Sequence, residues 1–274
     1  MKQIAPHVYA EHGYRGVTVG CIVTPTGVIC IDSPTSPADA RAWRAQIAKL
    51  TPRPVRFVVL TDAHHDRVSG LPYLGGAVVA HEAAWEKMKE YEDTSRPSAD
   101  ASSGHPDVAD GQLVLPEITF TNRLVLFKSD PVVIQHVGGA TPGSVWVHLP
   151  QQGVLFMGDL MALRAHPVTA EGDIATWLEL INRVRAKSFV AKTIVPGRGG
   201  PCTKAALEPM VDYLRTMRKR VKSLIRSRRP RADTALLVPE FLARYHVSES
   251  ERENAQQRIK AGLDHLYDTL KSKK

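Results

Sequence analysis

The sequence predicts an α+β sandwich of four layers, αββα, with a helical C-terminal extension. Three observations predict it. Segments with strand character and segments with helical character follow one another in the order strands, helix, strands, helix, which is the order of two sheets packed inside two helical layers. An unbroken apolar run, Val55 to Leu60, reads as a strand covered on both faces. Beyond residue 202 the pattern turns wholly helical. With 274 residues, 43% of them hydrophobic, the chain can bury a substantial core. The expected organisation is a sandwich over 1–202 and a helical extension over 203–274 packed on the same domain.

The elements follow in order. Alternating β-rich residues from Val17 to Ile31, broken at Pro25-Thr26-Gly27, predict a hairpin in which Cys21 and Cys30 fall nearly opposite each other. Ser36-Pro37-Ala38-Asp39 supplies an N-cap, a proline in the first turn and an acidic residue, and Ala40, Trp43, Ile47 and Leu50 follow at helical spacing. The Val55 strand delivers Thr61 to Arg67 into a loop, and in layered α/β folds ligands gather at such strand ends. Val78 to Ala80 and His81 to Tyr91 read as a strand and a helix. The polar stretch Glu92 to Gly111 reads as a long loop and a candidate lid. Strands are expected at Ile118 to Phe120, Leu124 to Phe127, Val132 to Val137, Ser144 to Leu149 and Val154 to Met157. A helix at Ile174 to Arg185 and a strand at Thr193 to Val195 complete the sandwich. Tail helices are expected at Lys204 to Ser227, Val238 to Tyr245 and Ser248 to Lys271, with Arg228 to Arg231 as a linker.

Composition narrows the function classes. No run of eighteen apolar residues occurs, and Met1 to Gly16 has no signal-like apolar core, so no membrane partner and a cytoplasmic location are expected. Three scattered cysteines, Cys21, Cys30 and Cys202, do not make a disulfide framework and read as reduced thiols. The net charge of +8 favours an anionic partner. Nine of the cations lie between Arg215 and Arg231. Met210, Leu214, Met217, Val221, Leu224 and Ile225 form an apolar stripe through the same stretch, so the cations read as the solvated helix face, and nucleic acid is not expected as a partner. A nucleotide fingerprint and a serine-hydrolase elbow are both absent from the sequence.

Four segments carry more. Thr61-Asp62-Ala63-His64-His65-Asp66-Arg67-Val68-Ser69-Gly70, Gly139-Ala140-Thr141-Pro142-Gly143-Ser144, Phe156-Met157-Gly158-Asp159-Leu160 and Val195-Pro196-Gly197-Arg198-Gly199-Gly200-Pro201 together resemble, in order and interval, the metallo-β-lactamase superfamily over roughly the first 200 residues. The resemblance implies that fold and, by descent, a hydrolase of esters, lactones, thioesters or phosphoesters. In the family the segments read Thr-His-x-His-x-Asp-His, Gly-His-Thr-Pro-Gly, Gly-Asp and Pro-Gly-His-Gly, and their histidines and aspartates hold one or two metals, usually zinc.

Here His64, Asp66 and Asp159 keep the family identities. Asp62, Arg67, Ala140 and Arg198 stand where histidines are expected. Arginine has no lone pair to give a metal, so the second metal is expected to be lost, and the first is left with Asp62, His64 and Asp159. The leading expectation is a metal-free site with no cofactor, in which Arg67 and Arg198 offset the charge of the aspartates. In that reading His64 or His65 acts as general base on water, Asp66 or Asp159 orients it, and Arg67 and Arg198 stabilise an oxyanion or grip an anionic small molecule. One alternative is a mononuclear zinc, iron or manganese site on Asp62, His64 and Asp159. Another is a non-catalytic pseudoenzyme that binds an anionic ligand. The tail helices complete the core, cap the site or form a homodimer contact.

Overall fold

The computed structural model describes residues 1–95 and 113–272. Seven strands form the first sheet in sequence order: β1 (Lys2–Ala5), β2 (Val8–Glu11), β3 (Val19–Thr24), β4 (Gly27–Ile31), β5 (Val55–Val59), β6 (Ala77–His81) and β7 (Ile118–Phe120). Its first four strands are antiparallel and its last four run parallel. The second sheet holds β8 (Arg123–Leu126), β9 (Val132–His136), β10 (Val145–Leu149), β11 (Val154–Ala162) and β12 (Thr193–Arg198), in the order β12-β11-β10-β9-β8.

Three apolar clusters correspond to the three interfaces of an αββα sandwich. Ile22, Ile29, Ile31, Val59 and Val79 of the first sheet meet Ile134, Val145, Val147, Phe156 and Val195 of the second. On the outer face of the first sheet, α1 (Pro37–Leu50) and α3 (Glu82–Ser95) bury Trp43, Ile47, Ala84 and Met88. On the outer face of the second, α4 (Ile174–Arg185) and the tail helices α5 (Glu208–Arg226), α6 (Val238–Leu242) and α7 (Glu249–Ser272) bury Trp177, Met210, Leu214, Phe241 and Leu263 beside Leu155 and Met157. The tail thus shares one apolar cluster with the second sheet, because each of its helices carries an apolar face that needs covering.

Local chemistry explains the boundaries. The Ser36 side chain accepts from the Asp39 backbone N–H at 3.1 Å and Pro37 opens α1. Asp173 accepts from Ala175 N at 2.9 Å and caps α4. The single long helix expected from Lys204 divides into a 3₁₀ turn, Lys204–Leu207, and α5. Pro209 accounts for the division, since proline fits a first helical turn and not an interior. The helix expected to reach Tyr245 stops at Leu242. In α3 the helix runs on to Ser95, past the expected start of the lid; residues 96–112, which hold most of that stretch, lie outside the described residues. The basic side of α5 is the solvated one, opposite buried Met210, Leu214, Met217 and Val221. Among the described residues no helix is long and apolar enough to cross a membrane.

Candidate active site

The parallel half of the first sheet ends beside the C-terminal ends of β11 and β12, and the loops that leave those ends build the site. β4 ends at Ile31 and the chain turns sharply at Asp32, whose φ of 57° is left-handed. Asp32 is buried, and its carboxylate accepts from Thr61 N at 2.7 Å and from the Thr61 hydroxyl at 2.8 Å. That fixes the start of the Thr61–Arg67 loop after β5. Val145 N donates to Thr61 O at 2.8 Å and ties the loop to the second sheet. Gly158, at φ 54°, allows the close approach, since a Cβ there would overlap the Thr61 side chain.

The four aspartates and two arginines gather at this point. Arg67 opens no face to solvent: it is wholly buried, and each of its three guanidinium nitrogens points at a different carboxylate. Its Nη1 donates to Asp32 Oδ2 at 2.9 Å, its Nη2 donates to Asp159, and its Nε lies 3.1 Å from Asp62 Oδ2 in an ion pair without hydrogen-bond alignment. Arg198 is mostly buried at the end of β12. Its Nη2 lies 2.6 Å from Asp66 Oδ2 and 3.2 Å from Asp159 Oδ2, and its Nη1 donates to Gly16 O at 2.6 Å. A Cβ on Gly197 would strike the Arg67 guanidinium and the Gly158 backbone, so a glycine at this position of β12 leaves room for Arg67 under the cluster.

His64 completes the cluster. Its Nδ1 lies 2.8 Å from Asp159 Oδ2 and 3.2 Å from Asp62 Oδ1, and its backbone N–H donates to Asp62 Oδ1 at 2.9 Å. Burial works against the charged imidazole, but Asp62 and Asp159 outweigh it and hold the pKa well above the usual histidine range. Burial likewise opposes ionisation of Asp62 and Asp159, and Arg67, Arg198 and His64 outweigh it, so both sit below the carboxylate range. Asp32 goes the other way. Burial, with Asp62 adding to it, prevails over Arg67 and pushes its pKa up to about 6.

The residues expected at the site do not all converge. Asp62, His64, Asp66, Arg67, Asp159 and Arg198 do. His65 is exposed, and its ring packs 4.9 Å from that of Tyr91. Arg67, expected to grip a ligand, instead spends its whole fork on aspartates beneath the surface. Ala140 lies buried among Leu160 and Trp177 and adds no donor. Donor atoms of Asp62, His64 and Asp159 lie within 4.8 Å of one another, the spacing a metal would need. Sequence reading missed Asp32, although an acid directly after the apolar strand Val28 to Ile31 is a signal of a buried, partnered carboxylate.

Two cavities flank the cluster. One, of about 490 Å³, is lined by His64, Lys87, Tyr91, Thr141, Glu171 and His265. The other, of about 1100 Å³, opens on Asp66 and Arg198 and is walled on its far side by α7.

A sandwich of this layering, with its polar cluster on the loops at the strand ends, defines a metallo-β-lactamase-type domain. The pattern of the metallo-beta-lactamase superfamily matches residues 12–198, and the chain belongs to that superfamily. Metallo-beta-lactamase IND-1 of Chryseobacterium indologenes is 26% identical over 217 residues, 74% of this chain and 83% of that protein. The solved metallo-beta-lactamase from Pontibacter korlensis superposes with a TM-score of 0.61 at 24% identity, over 78% of this chain and 97% of that one. The stereoselective inverting sec-alkylsulfatase Pisa1 from Pseudomonas sp. superposes with a TM-score of 0.66 at 16% identity, over 97% of this chain and 49% of that one. These structural likenesses show the fold alone, and the last extends it across the helical tail.

Proposed function

We propose that this superfamily member works without a metal at the site and serves as a receptor for a small molecule rather than as a hydrolase. The observation that carries the reading is the position of Arg198, whose Nη2 stands between Asp66 and Asp159 at 2.6 and 3.2 Å. Two carboxylates converging on one point demand a cation, and here a side chain supplies it. Arg67 does the same for Asp32, Asp62 and Asp159. With His64 protonated, three positive groups face four carboxylates, so the cluster is close to neutral without an added ion.

The first-metal donors do not fit an ion well in this arrangement. His64 Nδ1 faces carboxylates as a donor, so it offers no lone pair there, and both carboxylates are already engaged by Arg67. The same contacts weigh against hydrolysis by a histidine base. An imidazolium held by two aspartates donates a proton and does not take one from water. His65 faces Tyr91, and Asp66 is paired with Arg198. A second reading, a mononuclear zinc, iron or manganese centre, is favoured by the 4.8 Å convergence of Asp62, His64 and Asp159.

A screen of esters, lactones, thioesters and phosphodiesters tests the receptor reading. The expected result is no turnover that depends on the cluster. Turnover abolished by His64→Ala or Asp66→Asn, in protein that remains folded, would replace it with a hydrolase.

A further inference from the structure

The larger cavity is a compartment made jointly by the sandwich and the tail. The sandwich wall comes from the ends of β11 and β12, where Leu163 N donates to Arg198 O at 2.8 Å and so sets Arg164 beside Arg198. The tail wall is one face of α7, presenting Glu251, Asn254, Ala255, Arg258 and Ala261 at helical spacing. The two walls are joined at the rim by Arg15, whose Nη2 lies 2.9 Å from Glu251 Oε1.

The charges of this compartment do not balance. Arg15 is answered by Glu251, and Arg198 by Asp66 and Asp159. Arg164 and Arg258, one from each wall, have no carboxylate partner among the described residues; Arg258 Nε reaches only Asn254 O, at 3.4 Å. Arg164 also adopts a left-handed backbone, φ 55°. Between the two walls sits His166, both of whose ring nitrogens are shut from solvent without a well-formed hydrogen bond. Burial and the charge of Arg258 hold its pKa down, against a weaker pull from the Tyr245 carbonyl. Two guanidinium groups without a carboxylate partner, facing one space from two walls, offer charged donors to an oxyanion. The remaining lining is mixed: Tyr14, Val17, Ala165 and Val247 give it an apolar part, and His12, Thr35, His246, Ser248 and Gln257 add polar groups.

We propose that this compartment binds a small organic oxyanion, a phosphate, sulfate or carboxylate carrying a short apolar group, with Arg164 and Arg258 gripping the anionic head from opposite walls. The proposal rests on the reading that the site receives a ligand, and it makes the tail a determinant of which one. It does not depend on metal content, so a metal found at Asp62, His64 and Asp159 would sink the metal-free reading and leave this one standing.

Titration calorimetry on the full chain with hexyl phosphate, hexanoate, hexanol and hexylamine tests it. The expected result is saturable binding of one or both anions, none of the alcohol or amine, and at least about a tenfold loss of affinity in Arg164→Ala and in Arg258→Ala. Both side chains are exposed, so these variants should fold as the parent does. Arg218→Ala with Lys222→Ala, on the basic face of α5, should leave the affinity unchanged. Absence of anion binding, equal binding of hexanol, or anion binding that follows the α5 variant and ignores Arg164 and Arg258 would each overturn the proposal.

Discussion

Asp32 Oδ2 accepts from Arg67 Nη1 at 2.9 Å while the same carboxylate holds the Thr61 backbone and hydroxyl at 2.7 and 2.8 Å. This pair connects the end of one buried strand to the loop that leaves the next, and it brings a fixed positive charge under Asp62 and Asp159. The cluster is therefore a structural unit, and its members are coupled in stability.

Arg67→Met should be costly. It leaves three buried carboxylates short of their shared cation, and breaking a buried pair from one side typically costs about 3–5 kcal/mol. Denaturant unfolding should show a loss of that order, with Arg67→Lys recovering only part of it, because an ammonium cannot span three aspartates as a fork does. A loss below about 1 kcal/mol, the level of an exposed pair, would mean that the aspartates have other compensation.

Arg198→Ala should create a cation site. Removing the Nη2 that lies between Asp66 and Asp159 leaves their charges facing each other, and a divalent ion is the natural replacement. Calorimetry with Mn²⁺ should detect binding in the variant and none in the parent. Equal behaviour of the two would show that Arg198 does not hold a cation's place.

A histidine pair outside the cluster should contribute less stability on mild acidification. His81 and His136 stack with ring centroids 3.7 Å apart, and His81 Nδ1 accepts from Ala83 N at 3.1 Å while its Nε2 contacts Thr121 O at 2.7 Å. That arrangement needs a neutral His81 ring. Burial first and His136 second lower its pKa below the ordinary 6.5, against Thr121 O and the carboxylates of Glu82 and Glu86. The unfolded chain therefore takes up the proton first, and stability is lost as pH falls through 6.5 toward the lower folded value. His64 and Asp32, whose pKa values are raised, act in the opposite sense over this range, so the His81 contribution is read as a difference in thermal unfolding: from about pH 7.5 to about pH 5 the stability of the parent should fall relative to that of His81→Asn, whose amide oxygen preserves the bond from Ala83.

The thiols should be slow to react. Cys21 and Cys30 face each other in the register of β3 and β4, both buried. Burial pushes the Cys21 thiol up to about 12 and Cys202 up to about 11, and raises Cys30 well above its ordinary value. Labelling by a disulfide reagent at pH 8 should be at least about tenfold slower in the native protein than after unfolding. Rapid labelling of Cys21 or Cys30 would show that the hairpin opens.

Much of this was legible in the sequence where one signal dominated. The Ser36-Pro37 cap fixed the start of α1, and the apolar run from Val55 fixed a buried strand with the site loop at its end. The strands at Lys2–Ala5 and Val8–Glu11 were not read, because each has four residues and Pro6-His7 interrupts the alternation. At the site, the identity of the ligand-position residues was legible, since each sits inside a turn that only the backbone motif explains. Which way they point was not. Nothing in the spacing distinguishes an arginine that reaches into a pocket from one that turns under it toward Asp32, and His65 differs from His64 only by facing Tyr91. Asp32 was missed because its partners lie more than twenty-five residues along the chain, and local pattern carries no record of them. The larger cavity depends on α7 facing the chain that leaves β11 and β12, a placement set by residues far apart in the sequence.

The central claim is that side chains, not metal ions, neutralise the aspartates of this site. Elemental analysis by plasma mass spectrometry, on protein purified without added metal and again after dialysis against zinc and manganese, tests it most directly. The account predicts far less than one equivalent of any transition metal in both samples, with unchanged thermal stability after chelation. One equivalent of zinc, iron or manganese that survives dialysis and is lost in Asp62→Asn or Asp159→Asn would contradict it.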